Sequence, residues 1–141
     1  GESYVDSKAA SIMGIYENTV DGMMTDYVFP QENGHHEQVK WFRIGDGKDG
    51  LLCKMEEKLG LNLANYTDES LEKAQHPFEI EKADDVIIHL DYRQSGLGSN
   101  SCGEEQLEEN KVKLQDFAMA FTVQAAECGT EIREARKQYI D

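Results

Sequence analysis

Apolar and polar residues alternate along several segments of this chain, and a period of two is typical of β-strands. In the clearest segment, 86–92, Val86 and every second residue after it face one way. A further strand is predicted at 9–16, where β-branched residues outweigh the Ala and Met residues that make a helix the alternative. The same reasoning predicts strands at 39–44, 51–56, 59–65 and 117–123.

Two aromatic residues, a proline and a polar turn follow one another at 27–34. Pro30 fixes its own φ and disfavours a helical conformation at the residue before it, so residues 27–29 are predicted to be an extended strand. The Asn-Gly pair that follows tolerates positive φ and predicts a tight reversal. Glu32 is displayed there, and its carboxylate is expected to form a hydrogen bond with the turn. This structural corner comprises Pro30, Gln31, Glu32, Asn33 and Gly34.

Turn and cap signals connect the predicted strands. The segment 45–50, rich in Gly and Asp, predicts the turn of a β-hairpin. Thr67 is suited to be the N-cap of a short helix at 68–75, which has acidic residues in its first turn. Pro77 is predicted to end that helix.

Strands separated by turns, with a single short helix, predict an all-β fold, either an antiparallel two-sheet β-sandwich or a barrel. The sandwich is assigned to residues 1–124. The tail, 125–141, differs in pattern. Four of its residues fall near a helical period, namely Ile132, Ala135, Arg136 and Tyr139. It is predicted to be a short C-terminal helix or a frayed extension.

The composition limits the classes of partner. The chain has 141 residues, of which 39% are hydrophobic, and this is enough for the core of one domain. Its 28 acidic and 14 basic residues give a formal charge of −14. Because this charge repels phosphate backbones and anionic lipids, nucleic acid and membrane surfaces are not expected as partners. A neutral sugar is not repelled.

The three cysteines, Cys53, Cys102 and Cys128, are widely spaced and odd in number, which fits neither a paired disulfide framework nor a CxxC zinc site. Reduced thiols are therefore expected, and they indicate a cytoplasmic protein. The sequence shows no export signal and no apolar run long enough to span a membrane. Because it opens on Gly1 without a methionine, we expect it to be cut from a longer protein, whose upstream part can carry a signal.

Several polar side chains are candidates for chemistry, and each also has a simpler structural interpretation. The His-His-Glu run at 35–37 suggests a metal site, but neighbouring side chains diverge, so a solvated loop is predicted. His89 is predicted to be an ordinary strand histidine with its hydrogen bonds satisfied. Trp41 is predicted to be a core residue of its strand. The glycine-rich stretch 96–101 lacks the last glycine of a dinucleotide-binding loop.

Five segments of the chain carry a family resemblance. The first is MMTDYVFPQENG at 23–34, followed by VKW at 39–41. The others are GESYVDSK at 1–8, LNLANYT at 61–67, LEKA at 71–74 and LDYRQSGLGSNSCG at 90–103. Taken in their order along the chain, they resemble the C-terminal small-chain domain of glycoside hydrolase family two β-galactosidases, from residue 1 to about residue 123.

The resemblance implies that the fold is part of the galactose-mutarotase-like supersandwich that ends these enzymes. It also implies a non-catalytic module without a cofactor, because the acid/base and nucleophile glutamates of the family lie in a separate central barrel domain. The module would complete or line the active-site entrance of an enzyme that hydrolyses terminal non-reducing β-D-galactose residues. The implied partners are a galactoside substrate and the remainder of the enzyme, namely its catalytic barrel and upstream sandwich domains. The isolated chain is predicted to be inactive.

Hydrolysis of a glycoside requires two carboxyl groups that flank one bond. Adjacent residues of an extended chain point to opposite faces, so an adjacent pair of acids is a poor dyad. Such pairs are predicted to be solvated surface, and no catalytic residue is assigned to this chain. They are Glu56/Glu57, Asp84/Asp85, Glu104/Glu105 and Glu108/Glu109.

In some members of the family, a tryptophan at the end of the 94–106 loop stacks on the sugar at the active-site entrance. The corresponding position here falls at or beside Cys102, so that aromatic platform is missing. The candidates for substrate contact are Asn100, Ser101 and Cys102.

Two other functions fit the residues. One is an independent carbohydrate-binding module, which requires an exposed aromatic platform such as Trp41. The other is a purely architectural subunit without a ligand. In either case a partial sandwich leaves sheet edges and an apolar face to be covered, so self-association or packing against another domain is expected.

Overall fold

The structure is a computed structural model that describes residues 14–94, 104–105 and 107–129. Single turns of 3₁₀ helix lie at Pro77–Glu79 and Glu108–Asn110. No helix in these residues is both long and apolar enough to span a membrane. The strands are β1 (His36–Gly45), β2 (Asp49–Ala64), β3 (Ile87–Asp91) and β4 (Phe121–Glu127), and the helices are α1 (Val20–Met23) and α2 (Asp68–Lys73).

Strand β2 pairs with each of the other three strands. Its pairings with β3 and β4 are antiparallel, and β1 precedes it in a hairpin. With only short helices besides, the chain has the antiparallel, sandwich-like all-β fold that its sequence predicts. The described residues divide into two compact units, the first within Gly1–Glu37 and Gly60–Leu114 and the second within Gln38–Leu59 and Gln115–Asp141.

In the first unit, the end of β2 pairs with β3, with Gly60 opposite Asp91 and Ala64 opposite Ile87. Leu61 and Tyr66 are buried beside this pairing and provide part of the core. Burial of such side chains is the main favourable term in folding, because it removes apolar surface from water. The pairing also aligns the polar residues of β3 with the end of β2.

In the second unit, the hairpin turn is fixed by Asp46, whose Oδ1 accepts hydrogen bonds from the backbone N–H groups of Lys48 and Asp49, both at 2.9 Å. These two hydrogen bonds lower the pKa of the Asp46 carboxyl below its ordinary value. The start of β2 pairs with β4 from Asp49 opposite Glu127 to Met55 opposite Phe121. The core of this unit contains Leu52, Cys53, Met55 and Leu59.

The separate strands predicted at 51–56 and 59–65 form one strand of 16 residues, β2. Glu57 and Lys58, which separate the two predicted strands, are exposed within β2. The strand continues through them because its two ends are held by different partners, β4 at the start and β3 at the end.

Strand β4 begins at Phe121 rather than at residue 117, and it continues to Glu127, three residues into the segment assigned to the tail. Ala125 and Ala126 gave no strand signal because alanine is depleted in strands. They are nevertheless extended because they lie opposite Leu51 and Gly50 of β2. Residues 130–141 of the predicted tail lie outside the described residues.

The strand predicted at 27–29 is absent, and Val28 and Phe29 form a bend in which both side chains are exposed. An extended conformation before proline does not create a strand unless a neighbouring strand pairs with it. The strand predicted at 9–16 is described only from Gly14, and residues 14–16 are irregular and exposed.

The predicted start of α2 is confirmed. Thr67 is its N-cap, and the Thr67 side chain accepts a hydrogen bond from the backbone N–H of Ser70 at 3.2 Å. The helix ends at Lys73, two residues earlier than predicted, because Ala74 is extended. The single turn α1 was not predicted. Thr19 acts as its N-cap and accepts from the backbone N–H of Gly22 at 3.0 Å.

Candidate functional site

The structural corner is held by the buried side chain of Asn33. Its Oδ1 accepts from the Thr25 backbone N–H at 2.7 Å, and its Nδ2 donates to the carbonyls of Thr25 at 3.2 Å and Gln31 at 3.0 Å. The Asn62 side chain in turn donates to the Asn33 carbonyl at 2.8 Å. Asn33 was expected to serve by tolerating positive φ, and it serves instead as a hydrogen-bonding centre for the backbone.

Positive φ is supplied by Gly34 alone within the corner, at +79°. A Cβ atom on Gly34 would lie 2.6 Å from the Met23 carbonyl oxygen, which is closer than real Cβ contacts allow. Gly34 therefore satisfies two requirements at once, the left-handed backbone and the close approach of Met23.

The Glu32 carboxylate was expected to form a hydrogen bond with the turn, and this prediction is wrong. The carboxylate accepts a hydrogen bond from Nε2 of Gln94 at 3.1 Å. Glu32 is half-buried, whereas its neighbour Gln31 is exposed. The corner is thus linked to the residues that follow β3.

His35 is fully buried, so the prediction of a solvated loop is wrong for this residue. Its Nε2 lies 3.0 Å from Oε1 of Glu37, and its Nδ1 lies 3.6 Å from Oδ2 of Asp91. Burial raises the pKa of the Asp91 carboxyl, although the nearby His35 opposes that rise. The His36 ring lies 2.7 Å from the Gly34 carbonyl oxygen. Among residues 14–94, 104–105 and 107–129, no group of three side chains is arranged to hold a metal ion.

A cleft of about 340 Å³ lies in the first unit, beside the corner. One wall is the start of α2 and another is His89 of β3, whose Nε2 lies 3.6 Å from Oδ1 of Asp68. Phe29 is 66% exposed here, although it is a large aromatic residue. The lining residues are Phe29, Pro30, Gln31, Glu32, Asp68, Leu71, Glu72 and His89.

The cleft was not predicted from the sequence, which assigned α2 only a cap and a length. Asp68, Leu71 and Glu72 are separated by three and four positions, and this spacing places side chains on one face of a helix. The spacing shows which helix residues share a wall. The spacing does not show that this face of α2 lies opposite Phe29, because their relative position depends on how the chain folds between Phe29 and the helix.

The other predicted residues have mixed outcomes. The adjacent acid pairs, from Glu56/Glu57 to Glu108/Glu109, are all exposed, as predicted. Trp41 is half-buried in β1, and His89 is half-buried within reach of a carboxylate. Asn100, Ser101 and Cys102, the candidates for substrate contact, lie outside the described residues, as does the glycine-rich stretch 96–101.

Comparison with known proteins identifies the protein family of this chain. Residues 1–123 match the family described as the β-galactosidase small chain, and the chain therefore belongs to this family. The resemblance seen in the sequence is confirmed.

Individual relatives support the same assignment. The chain is 34% identical to a β-galactosidase of Actinobacillus pleuropneumoniae over 120 residues, which is 85% of the chain and 12% of that protein. It is 28% identical to a β-galactosidase of Arthrobacter sp. strain B7 over 131 residues, 89% of the chain and 13% of that protein. A β-galactosidase of Kluyveromyces lactis is 30% identical over 122 residues, 86% of the chain and 12% of that protein. The chain thus spans about one eighth of the length of these relatives.

Proposed function

We propose that this chain is the C-terminal, non-catalytic domain of a β-galactosidase that hydrolyses terminal non-reducing β-D-galactose residues. The observation that carries the proposal is the family match over residues 1–123, combined with alignments that cover only 12–13% of each relative. A domain of that share is accompanied by much longer polypeptide in the relatives. Its partners are then the remainder of the enzyme, with the catalytic barrel and upstream sandwich domains.

The carboxylates of the chain support a non-catalytic role. A retaining glycosidase holds its two carboxyl groups about 5 to 5.5 Å apart on either side of the scissile bond. The adjacent acid pairs of this chain are exposed, and none of them lines the cleft beside the corner. We therefore place the catalytic glutamates in the rest of the enzyme and assign no cofactor to this chain.

The domain contributes to the active-site entrance in this proposal through the segment that contains Asn100, Ser101 and Cys102, which the sequence predicts to be a loop. A hydroxyl, an amide and a small thiol can bind sugar hydroxyl groups but cannot offer an aromatic face. The free thiols of Cys53 and Cys128 support a reducing compartment, which is the cytoplasm.

A role in assembly is supported by β4, which pairs only with β2 among the described strands. Its Phe121 and Val123 side chains remain 49% and 52% exposed. Leu51 of β2, which lies opposite Ala125, is 48% exposed. An apolar surface along an open strand edge is typical of an interface. It would be covered by another domain of the enzyme or by a second copy of the chain.

The first test is the size of the native polypeptide, detected in an extract of the source cells with an antibody against this chain. A band several-fold larger than 15.9 kDa is expected, and deletion of this domain from that polypeptide should abolish cleavage of a chromogenic β-galactoside. The isolated chain should show no cleavage. A native band near 15.9 kDa would contradict the proposal.

The cleft beside Phe29 favours one alternative, an independent carbohydrate-binding module. That role predicts sugar binding by a free-standing chain of native size, whereas a purely architectural subunit predicts no response to any sugar. The band size and the sugar titration described below separate the three functions.

A further inference from the structure

We infer that the cleft between the structural corner and α2 is a binding site for a neutral carbohydrate. The inference goes beyond the leading proposal, because none of the cleft residues belongs to the predicted loop at 94–106. It also assigns a site to the alternative, a carbohydrate-binding module. It rests on the size, the lining and the charge of the cleft.

The size and apolar lining suit a small ring-shaped ligand. The volume of about 340 Å³ is at the lower end of the roughly 300 to 1,000 Å³ that ligand pockets occupy. Phe29, Pro30 and Leu71 provide apolar surface. An exposed aromatic ring can pack against the C–H face of a sugar, and this contact gives Phe29 a reason to be 66% exposed.

The polar lining offers both kinds of hydrogen-bonding group. The carboxylates of Glu32, Asp68 and Glu72 are acceptors, and the amide of Gln31 and the ring of His89 can donate. A sugar hydroxyl is both a donor and an acceptor, so this mixture satisfies it. A metal ion would bind only to the acceptors. A metal site would therefore not account for the donors or for the apolar wall. Hydrogen bonds to ionised carboxylates are also the stronger ones.

Charge decides the class of carbohydrate. The chain has a formal charge of −14, and three carboxylates line the cleft itself. Sugar phosphates and uronic acids would be repelled from such a surface. The ligand is therefore a neutral sugar, with galactose or a galactoside as the first choice because the relatives are β-galactosidases.

The test is a titration of the ¹⁵N-labelled 141-residue chain with galactose and with lactose, after a dispersed spectrum has shown that it is folded. Amide shifts are expected at Phe29, Gln31, Leu71 and His89, and not at Trp41. Phe29→Ala and Glu72→Gln should each weaken binding about tenfold, the effect of losing one charge-assisted hydrogen bond or one aromatic contact.

Matched control variants are available in the same unit. Glu69→Gln alters an acid of α2 that does not line the cleft and pairs with Lys73. Phe78→Ala removes an exposed phenylalanine that stacks on His76, outside the cleft. Both controls should bind sugar as the unaltered chain does.

A second measurement uses the native polypeptide, whatever its size, with a non-hydrolysable thiogalactoside. Hydroxyl-radical oxidation of Phe29 should fall when the sugar is added, and oxidation of Phe78 should not. In Glu72→Gln, about ten times more sugar should be needed for the same protection of Phe29. Absence of sugar-dependent shifts and of protection would overturn the inference, as would shifts centred on Trp41. Shifts with L-arginine amide but not with sugars would mean that a basic peptide segment occupies the cleft. The proposed function survives any of these failures, because the size and activity of the native polypeptide test it separately.

Discussion

A Cβ atom at Gly60 would lie 2.5 Å from Cε1 of His35. Gly60 is the residue of β2 that pairs with Asp91, so the backbone of one strand passes directly beside a fully buried imidazole. A side chain at this position has no room, and the ring has no exposed space into which it can turn.

Gly60→Ala is therefore expected to lower the free energy of unfolding by about 1 to 3 kcal/mol, the usual cost of overpacking a core. Urea unfolding followed by circular dichroism measures it. The matched experiment introduces the same change into a His35→Ala background, where the clash with the ring is absent and the additional cost should shrink. Equal costs in the two backgrounds would show that the ring is not the obstacle.

Asp91 makes the stability depend on pH. Burial raises the pKa of its carboxyl above 3.8, opposed by His35 and His89 and reinforced by Glu32 and Glu37. The folded state then binds a proton more tightly than the unfolded state does. This contribution to stability is present at low pH, and it is lost as the pH rises from 3.8 through the raised pKa.

Asp91→Asn should remove this decline, because the amide does not titrate. Urea unfolding at a series of pH values in that window measures the slope. Asp84→Asn is the matched control, since Asp84 is an exposed acid of the same unit. A slope in Asp91→Asn equal to that of the control would contradict the assignment.

The two described cysteines should differ in reactivity. Cys53 is buried, and burial raises the pKa of its thiol, whereas Cys128 is exposed. In a Cys102→Ser chain, one thiol is expected to react rapidly with a chromogenic disulfide and the second only when the protein unfolds. Rapid reaction of both thiols under native conditions would show that the β2 core opens easily.

The exposed apolar residues of β4 predict association. Val123→Lys should shift the isolated chain towards the monomer in sedimentation velocity, because a charge at an apolar interface is costly to desolvate. Gln124→Lys adds the same charge to the adjacent residue, whose side chain faces the opposite side of the strand. It should leave association unchanged, and a strictly monomeric unaltered chain would be inconsistent with this prediction.

Local signals predicted what local interactions determine. Thr67 caps α2, Gly34 supplies positive φ, and the hairpin forms at Asp46, because each of these depends on a few neighbouring residues. Strand ends were less predictable, since Ala125 is extended only because it pairs with Leu51.

The candidate site was harder to predict than the strand ends, because its contacts join residues that are far apart in the sequence. His35 was assigned to a solvated loop because adjacent side chains diverge and cannot share a metal ion. It is buried instead, with Gly60 and Asp91 beside it. The partner of Glu32, Gln94, is 62 residues away. Periodicity and propensity contain no information about contacts of this length.

The hydrogen bonds of the corner also set an order of events during synthesis. Those between Thr25 and Asn33 span eight residues and can form as soon as the corner leaves the ribosome. The contact with Asn62 waits for 29 further residues, and the contact with Gln94 spans 62. At about 5 to 20 residues per second, the latter delay is on the order of 3 to 12 seconds. During that interval the nascent corner holds its shape with local hydrogen bonds alone, before the contacts of Asn33 with Asn62 and of Glu32 with Gln94 exist.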